Sequence, residues 1–131
     1  MPELRWNPLL DTWTMVATNR QNRPHLPKDY CPFCPGHGNL PATYDVLAYP
    51  NDFPTLSLEG NFKPDTSKSK GGDIFMGAEA VGRCEVILYS PEHNKQLYQL
   101  SASHLLKLVN LWAQRYRELA ADKRIKYIFE F

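Results

Sequence analysis

The chain has 131 residues, 43% hydrophobic and 12% aromatic, enough for one globular domain, or part of one, with a core of its own. Its 15 basic and 14 acidic residues leave a net charge of +1, and no window gathers the Lys and Arg stripe that tracks a phosphate backbone, which argues against a nucleic-acid partner. The opening Met1-Pro2-Glu3-Leu4-Arg5-Trp6 lacks the basic start and apolar core of a signal peptide, and no apolar run approaches the roughly 20 residues of a membrane span. The expectation is a soluble, cytoplasmic protein with no membrane partner.

Thr12 to Ala17, rich in β-branched and aromatic residues and following the turn signal Asn7-Pro8, reads as a strand. From Asn19 to Pro41 the chain has no period and holds Pro24, Pro27, Pro32, Pro35 and Pro41, a composition that stiffens a loop without building a core. Tyr44 to Tyr49 reads as a second strand, ended by Pro50-Asn51-Asp52. Residues 59–77 form a polar excursion, expected to be a flexible insertion rather than a domain boundary. Glu85 to Tyr89 reads as a buried strand broken by Ser90-Pro91.

The clearest element follows. Ser101 can cap a helix, Leu100 and Leu105 fit a hydrophobic staple, and Leu105, Leu108, Val109, Trp112, Tyr116 and Leu119 recur at helical spacing. That pattern predicts a helix about 30 Å long with this stripe turned to a sheet, and with Lys107, Gln114, Arg115 and Glu118 on its wet face. After Asp122-Lys123-Arg124 the apolar run 125–131 reads as a further strand, and the chain stops inside it, so a truncated fold is expected. Strands, one long helix and a strand predict an α+β layer with an antiparallel sheet.

Chemistry concentrates in Cys31-Pro32-Phe33-Cys34, two of the three cysteines. Two thiolates two residues apart can grip one zinc ion from a tight loop, which supplies half of a tetrahedral site. The alternatives are a redox pair or two unligated thiols; the Pro32, Pro35, Gly36 loop favours metal, because a redox pair starts a helix. Further ligands can come from His25, His37, His93, His104 or Cys84. His104 lies in the first helical turn as a surface histidine would, and Cys84 fits a small buried residue. His93, aimed by the rigid Ser90-Pro91 turn, and His37 are equally favoured by spacing. Arg20 and Arg23 offer two guanidinium groups on a stiffened loop, suited to phosphate, though a solvated loop has the same composition. Asn51-Asp52-Phe53-Pro54 places an amide and a carboxylate where ribose hydroxyls can be held, against the alternative of an ordinary Asx turn.

In order along the chain, these pieces resemble the galactose-1-phosphate uridylyltransferase family, a branch of the histidine-triad superfamily. The matching text is Arg5-Trp6-Asn7-Pro8-Leu9 with Trp13, Asn19 to Pro24, Cys31 to Gly36, Asp45 to Pro54, Gly82-Arg83 through His93, Leu100-Ser101, the helix around Trp112, and Ile128-Phe129-Glu130. The resemblance implies one N-terminal histidine-triad-like domain over 1–131, with zinc held by Cys31, Cys34 and His93 and by a histidine outside these residues. It implies that Arg20 and Arg23 reach nucleotide-sugar phosphates across a homodimer interface, that Leu40 lines the uracil pocket, and that Asn51 and Asp52 hold the ribose. The implied reaction exchanges UMP between UDP-glucose and galactose 1-phosphate through a uridylyl-histidine. The nucleophile lies in a His-Pro-His-X-Gln motif in which none of His25, His37, His93 or His104 stands, and which is expected shortly after Phe131. The asparagine expected after Phe129-Glu130 is likewise absent. Two alternatives remain open here: a non-catalytic, zinc-stabilised nucleotide-binding fragment, and a relative that uses ADP-sugars.

Overall fold

A computed structural model describes residues 2–17, 20–21, 29–65 and 74–131. It is an α+β structure of short antiparallel strands and one long helix, in two compact units. The first unit comprises Met1–Arg23 and Asn51–Cys84; the second comprises Pro24–Pro50 and Glu85–Phe131. No helix among the described residues is long and apolar enough to cross a membrane.

The first unit is built on a hairpin of β1 (Glu3–Asn7) and β2 (Thr12–Val16), in register from Glu3 opposite Val16 to Asn7 opposite Thr12. The Asn7 side-chain oxygen accepts from the Leu9 amide at 3.1 Å, and Asp11 takes a φ of 55°, so an Asx turn and a left-handed residue reverse the chain. Trp6 and Trp13 face each other across the strands with centroids 5.4 Å apart, and Phe62 meets Trp13 edge-on at 5.8 Å, geometries that favour aromatic pairs. The short β4 (Gly77–Glu79) adds to the other side of β1.

The expected strand at Thr12 is present, whereas β1 and β4 were not expected. β1 carries Glu3, Arg5 and Asn7 among its five residues, and β4 is Gly-Ala-Glu with no β-branched residue; pairing, not propensity, makes both strands. Of residues 59–77, 66–73 lie outside the described ones. Asp65 and Gly77 exchange backbone hydrogen bonds at 2.8 and 3.0 Å, and the Asn61 amide donates to the Glu79 carboxylate at 2.6 Å. Gly82 sits at a φ of 153°, and a Cβ there would meet Leu56 Cδ1 at 2.8 Å, so only glycine fits this bend.

The second unit pairs β3 (Leu47–Pro50) antiparallel with β5 (Glu85–Leu88), and α1 (Ala102–Ala121) lies against β3. The helix has the expected twenty residues, and Ser101 caps it by accepting from the His104 amide at 3.2 Å. Ser101→Ala should cost about 1 kcal/mol of stability; denaturant melts followed by far-UV circular dichroism would show it as an earlier transition.

The inward face of α1 differs from the one expected. Leu108, 1% exposed, is the core residue, but Val109, Trp112 and Tyr116 are exposed, and Arg115 turns inward. Apolar residues populate two overlapping stripes at helical spacing, and periodicity alone does not choose between them. Glu85 at the start of β5 decides, by accepting two hydrogen bonds from Arg115 at 2.9 and 2.7 Å.

Residues 125–131 are not a strand. The chain turns at Asp122, whose carbonyl accepts from the Ile125 amide at 2.9 Å, and then runs on with Tyr127, Phe129 and Phe131 exposed and stacked in sequence at 6.4 and 5.4 Å. The alternation is that of a strand, but among the described residues no sheet edge pairs with it, and a strand needs one. At the turn, the Arg124 guanidinium holds the Asp122 carboxyl down to about 2.

Candidate metal centre

The loop after Tyr30 winds through successive turns. The Cys34 amide donates to the Cys31 carbonyl at 3.2 Å, His37 to Cys34 at 3.2 Å, Leu40 to His37 at 3.0 Å, and Gly36 to Pro41 at 2.9 Å. Gly36, at a φ of 77°, supplies the left-handed step that an L side chain resists. Both thiols are half-buried and free.

His93 enters from the turn after β5. The Glu92 amide donates to Ser90 Oγ at 3.1 Å, the Lys95 amide to the Glu92 carbonyl at 3.2 Å, and the Tyr89 phenol to the Lys95 carbonyl at 3.1 Å, closing a short loop with His93 inside it. Cys34 Sγ lies 3.4 Å from His93 Nδ1, and one donor atom from each of Cys31, Cys34 and His93 falls within 4.8 Å of the others. They line a cleft with Ser90, Pro91 and Glu92, wholly inside the second unit.

Two thiols and an imidazole are a zinc donor set. With Zn–S near 2.3 Å and Zn–N near 2.0–2.1 Å, a tetrahedral S–N edge is about 3.6 Å, close to the separation of Cys34 and His93. Burial pushes the Cys34 thiol above its ordinary range, and the hydrogen bond and charge of Cys31 add to the effect. Crowding of this kind between two thiols is relieved when a cation binds both.

Tyr44 belongs to the site although nothing in the sequence marked it. It was expected to open a strand, but β3 begins only at Leu47. Its hydroxyl donates to the Phe33 carbonyl, between the two cysteines, at 2.8 Å, and lies 3.5 Å from the Ser90 carbonyl. Burial first, then the charges of Cys34 and Cys31, raise its pKa, so it stays a protonated donor.

The other candidate ligands are engaged elsewhere. His37 stacks on Tyr30 with centroids 5.9 Å apart, His104 Nε2 lies 2.7 Å from the Tyr89 carbonyl and acts as its donor, and Cys84 is 3.6 Å from Thr55 Oγ1 in the first unit. His25 lies outside the described residues. Spacing left His37 and His93 equal, and tertiary placement separates them.

Three of the five expected nucleotide residues come together in the first unit. Arg20 Nη1 donates to the Phe53 carbonyl at 3.3 Å, which sets the guanidinium beside the Asn51-Asp52 turn, and Asn51 Oδ1 accepts from the Phe53 amide at 2.9 Å. The Asn51 backbone is pinned in turn to the Cys84 carbonyl at 3.1 Å. Leu40 belongs to the second unit and is 7% exposed, and Arg23 lies outside the described residues.

Comparison with known proteins gives a consistent picture. The family model for the galactose-1-phosphate uridyl transferase N-terminal domain matches residues 1–131. A galactose-1-phosphate uridylyltransferase of Thermotoga maritima is 40% identical over 132 residues, covering 100% of this chain and 40% of that protein. One from Haemophilus influenzae is 31% identical over 147 residues, covering 98% and 41%. A solved uridylyltransferase structure superposes with a TM-score of 0.74 at 25% identity, over 95% of this chain and 37% of that one. The chain thus spans about two fifths of the length of these relatives. Matched from its first residue to its last, it belongs to the galactose-1-phosphate uridylyltransferase family, as the N-terminal domain.

Proposed function

We propose that this chain is the zinc- and nucleotide-binding portion of an enzyme that exchanges UMP between UDP-glucose and galactose 1-phosphate. The observation that carries the reading is the convergence of Cys31, Cys34 and His93 in a chain matched throughout by the family model. In this reading zinc is held by the two thiolates and His93 Nδ1, with a fourth ligand from outside these residues, and its chemistry is structural: it ties the cysteine loop to the end of β5. Arg20 and Arg23 hold the nucleotide-sugar phosphates, Leu40 borders the uracil, and Asn51 and Asp52 take the ribose hydroxyls. The working form is a cytoplasmic homodimer in which 1–131 is a histidine-triad-like domain and 59–77 an insertion.

The reaction is two displacements at one phosphorus. A histidine outside these residues attacks the α-phosphorus of UDP-glucose, glucose 1-phosphate leaves, and a phosphate oxygen of galactose 1-phosphate then takes the uridylyl group and frees the histidine. Dividing the transfer this way demands that the uridylyl portion stay gripped through both steps, a task suited to guanidinium and ribose contacts that do not react.

The test is an exchange assay on the complete gene product. The expected result is release of glucose 1-phosphate on mixing with UDP-glucose alone, in an amount stoichiometric with enzyme, and ping-pong kinetics with galactose 1-phosphate. Faster exchange with ADP-glucose would transfer the reading to an adenylyl donor, and no exchange with either would overturn it. One observation favours a second reading for these residues taken alone: none of the four histidines stands in a His-Pro-His-X-Gln arrangement. The 131-residue chain is then a binding fragment, expected to bind UDP-glucose without forming a uridylyl-enzyme.

A further inference from the structure

We infer that Tyr44 is the positioning residue of the metal centre, a single hydroxyl that sets the cysteine loop against the segment carrying His93. The inference rests on the zinc reading above. The two ligand-bearing segments are far apart in sequence, and the chain between Cys34 and His93 passes through both units, so the 3.4 Å approach of Cys34 Sγ to His93 Nδ1 has to be fixed by contacts between them. Of the hydrogen bonds around the centre, Tyr89 to Lys95 and Glu92 to Ser90 stay inside the His93 loop, and His104 to Tyr89 ties that loop to α1. The Tyr44 hydroxyl is within reach of both segments at once, at Phe33 and at Ser90.

The geometry suits the task. Phe33 is the residue before Cys34, so holding its carbonyl fixes the peptide plane from which the Cys34 side chain departs. Ser90 begins the Ser90-Pro91 turn, and its own side chain already orders Glu92, the residue before His93. Tyr44 is itself anchored: β3 starts three residues later, and its neighbour Asp45 forms an ion pair with Lys107 of α1. A hydroxyl held by strand and helix, donating to the Phe33 carbonyl at 2.8 Å and lying 3.5 Å from the Ser90 carbonyl, acts as an outer support of the kind that orients metal ligands.

The experiment compares the full chain with Tyr44→Phe and Ser101→Ala, each loaded with zinc or cobalt(II). Affinity is read by competition with a chromogenic chelator, and ligand geometry by the visible cobalt spectrum. Tyr44→Phe is expected to retain a single metal and its thiolate-to-cobalt charge-transfer band, while affinity falls about tenfold and the ligand-field band shifts. Ser101→Ala, which loosens α1 of the same unit, is expected to leave affinity and spectrum unchanged. Wild-type affinity and spectrum in Tyr44→Phe would overturn the inference, as would equal losses in both variants, because the effect would then be general loosening. A wild-type chain that binds neither metal would overturn the zinc reading itself.

Discussion

Cys34→Ala should strip the full chain of zinc that survives gel filtration, and His93→Ala should weaken retention by far more than the tenfold expected of Tyr44→Phe. Removing a thiolate takes away one of three donors and the partner that Cys31 needs for a two-sulfur grip. Removing His93 leaves the sulfur pair intact but opens the site toward the cleft lined by Ser90, Pro91 and Glu92. Metal analysis of purified proteins decides the matter, and equal zinc in wild type and His93→Ala would remove His93 from the site.

The same variants should lose stability, because metal binding to a site assembled by folding is folding free energy. Among the described residues of the second unit only Leu40 and Leu108 are buried, so this unit has little apolar core with which to replace a lost metal. A chelator should lower the melting temperature of wild type and leave that of Cys34→Ala unchanged. Acid should act as the chelator does: the thiols must give up their protons to bind zinc, so affinity falls as the pH is lowered and protons reclaim the sulfurs.

The parts of this architecture legible in the sequence are those written in neighbouring residues. Ser101 before a twenty-residue helical pattern, the Cys31 and Cys34 spacing, and the turn at Ser90-Pro91 each carry a local physical cause, and each is present. Features that depend on distant partners were not legible. His93 and His37 are equivalent by spacing, and only a stacking partner at Tyr30 and the position of β5 distinguish them. β1 and β4 are strands because each pairs along an edge, and 125–131 is not, because it pairs with none among the described residues. Tyr44 is one of seven tyrosines, and its role follows wholly from which carbonyls its hydroxyl reaches.

Arg115 is the sharpest instance, and it yields the second large effect: Arg115→Met should destabilise the second unit by about 2 kcal/mol, between the cost of losing an exposed pair and that of breaking a fully buried one. As a solvated residue on a wet helix face, its replacement would shift stability by no more than about 0.5 kcal/mol. Its side chain is instead 20% exposed and that of Glu85 10%, with both guanidinium bonds formed in the two-pronged geometry that makes such pairs strong. The Glu85 hydrogen bond holds the Arg115 proton more firmly still, against the opposing pull of burial. Methionine keeps most of the stem's apolar packing but withdraws both bonds from a carboxylate already largely out of water. The double variant Arg115→Met with Glu85→Leu should recover much of the loss, because replacing both members of a buried pair by apolar residues is often close to neutral. Urea melts of the four proteins complete the cycle. A single-variant cost below 1 kcal/mol, or no recovery in the double variant, would mean that the helix is not held to β5 through this pair, and its inward face would have to be set by Leu108 alone.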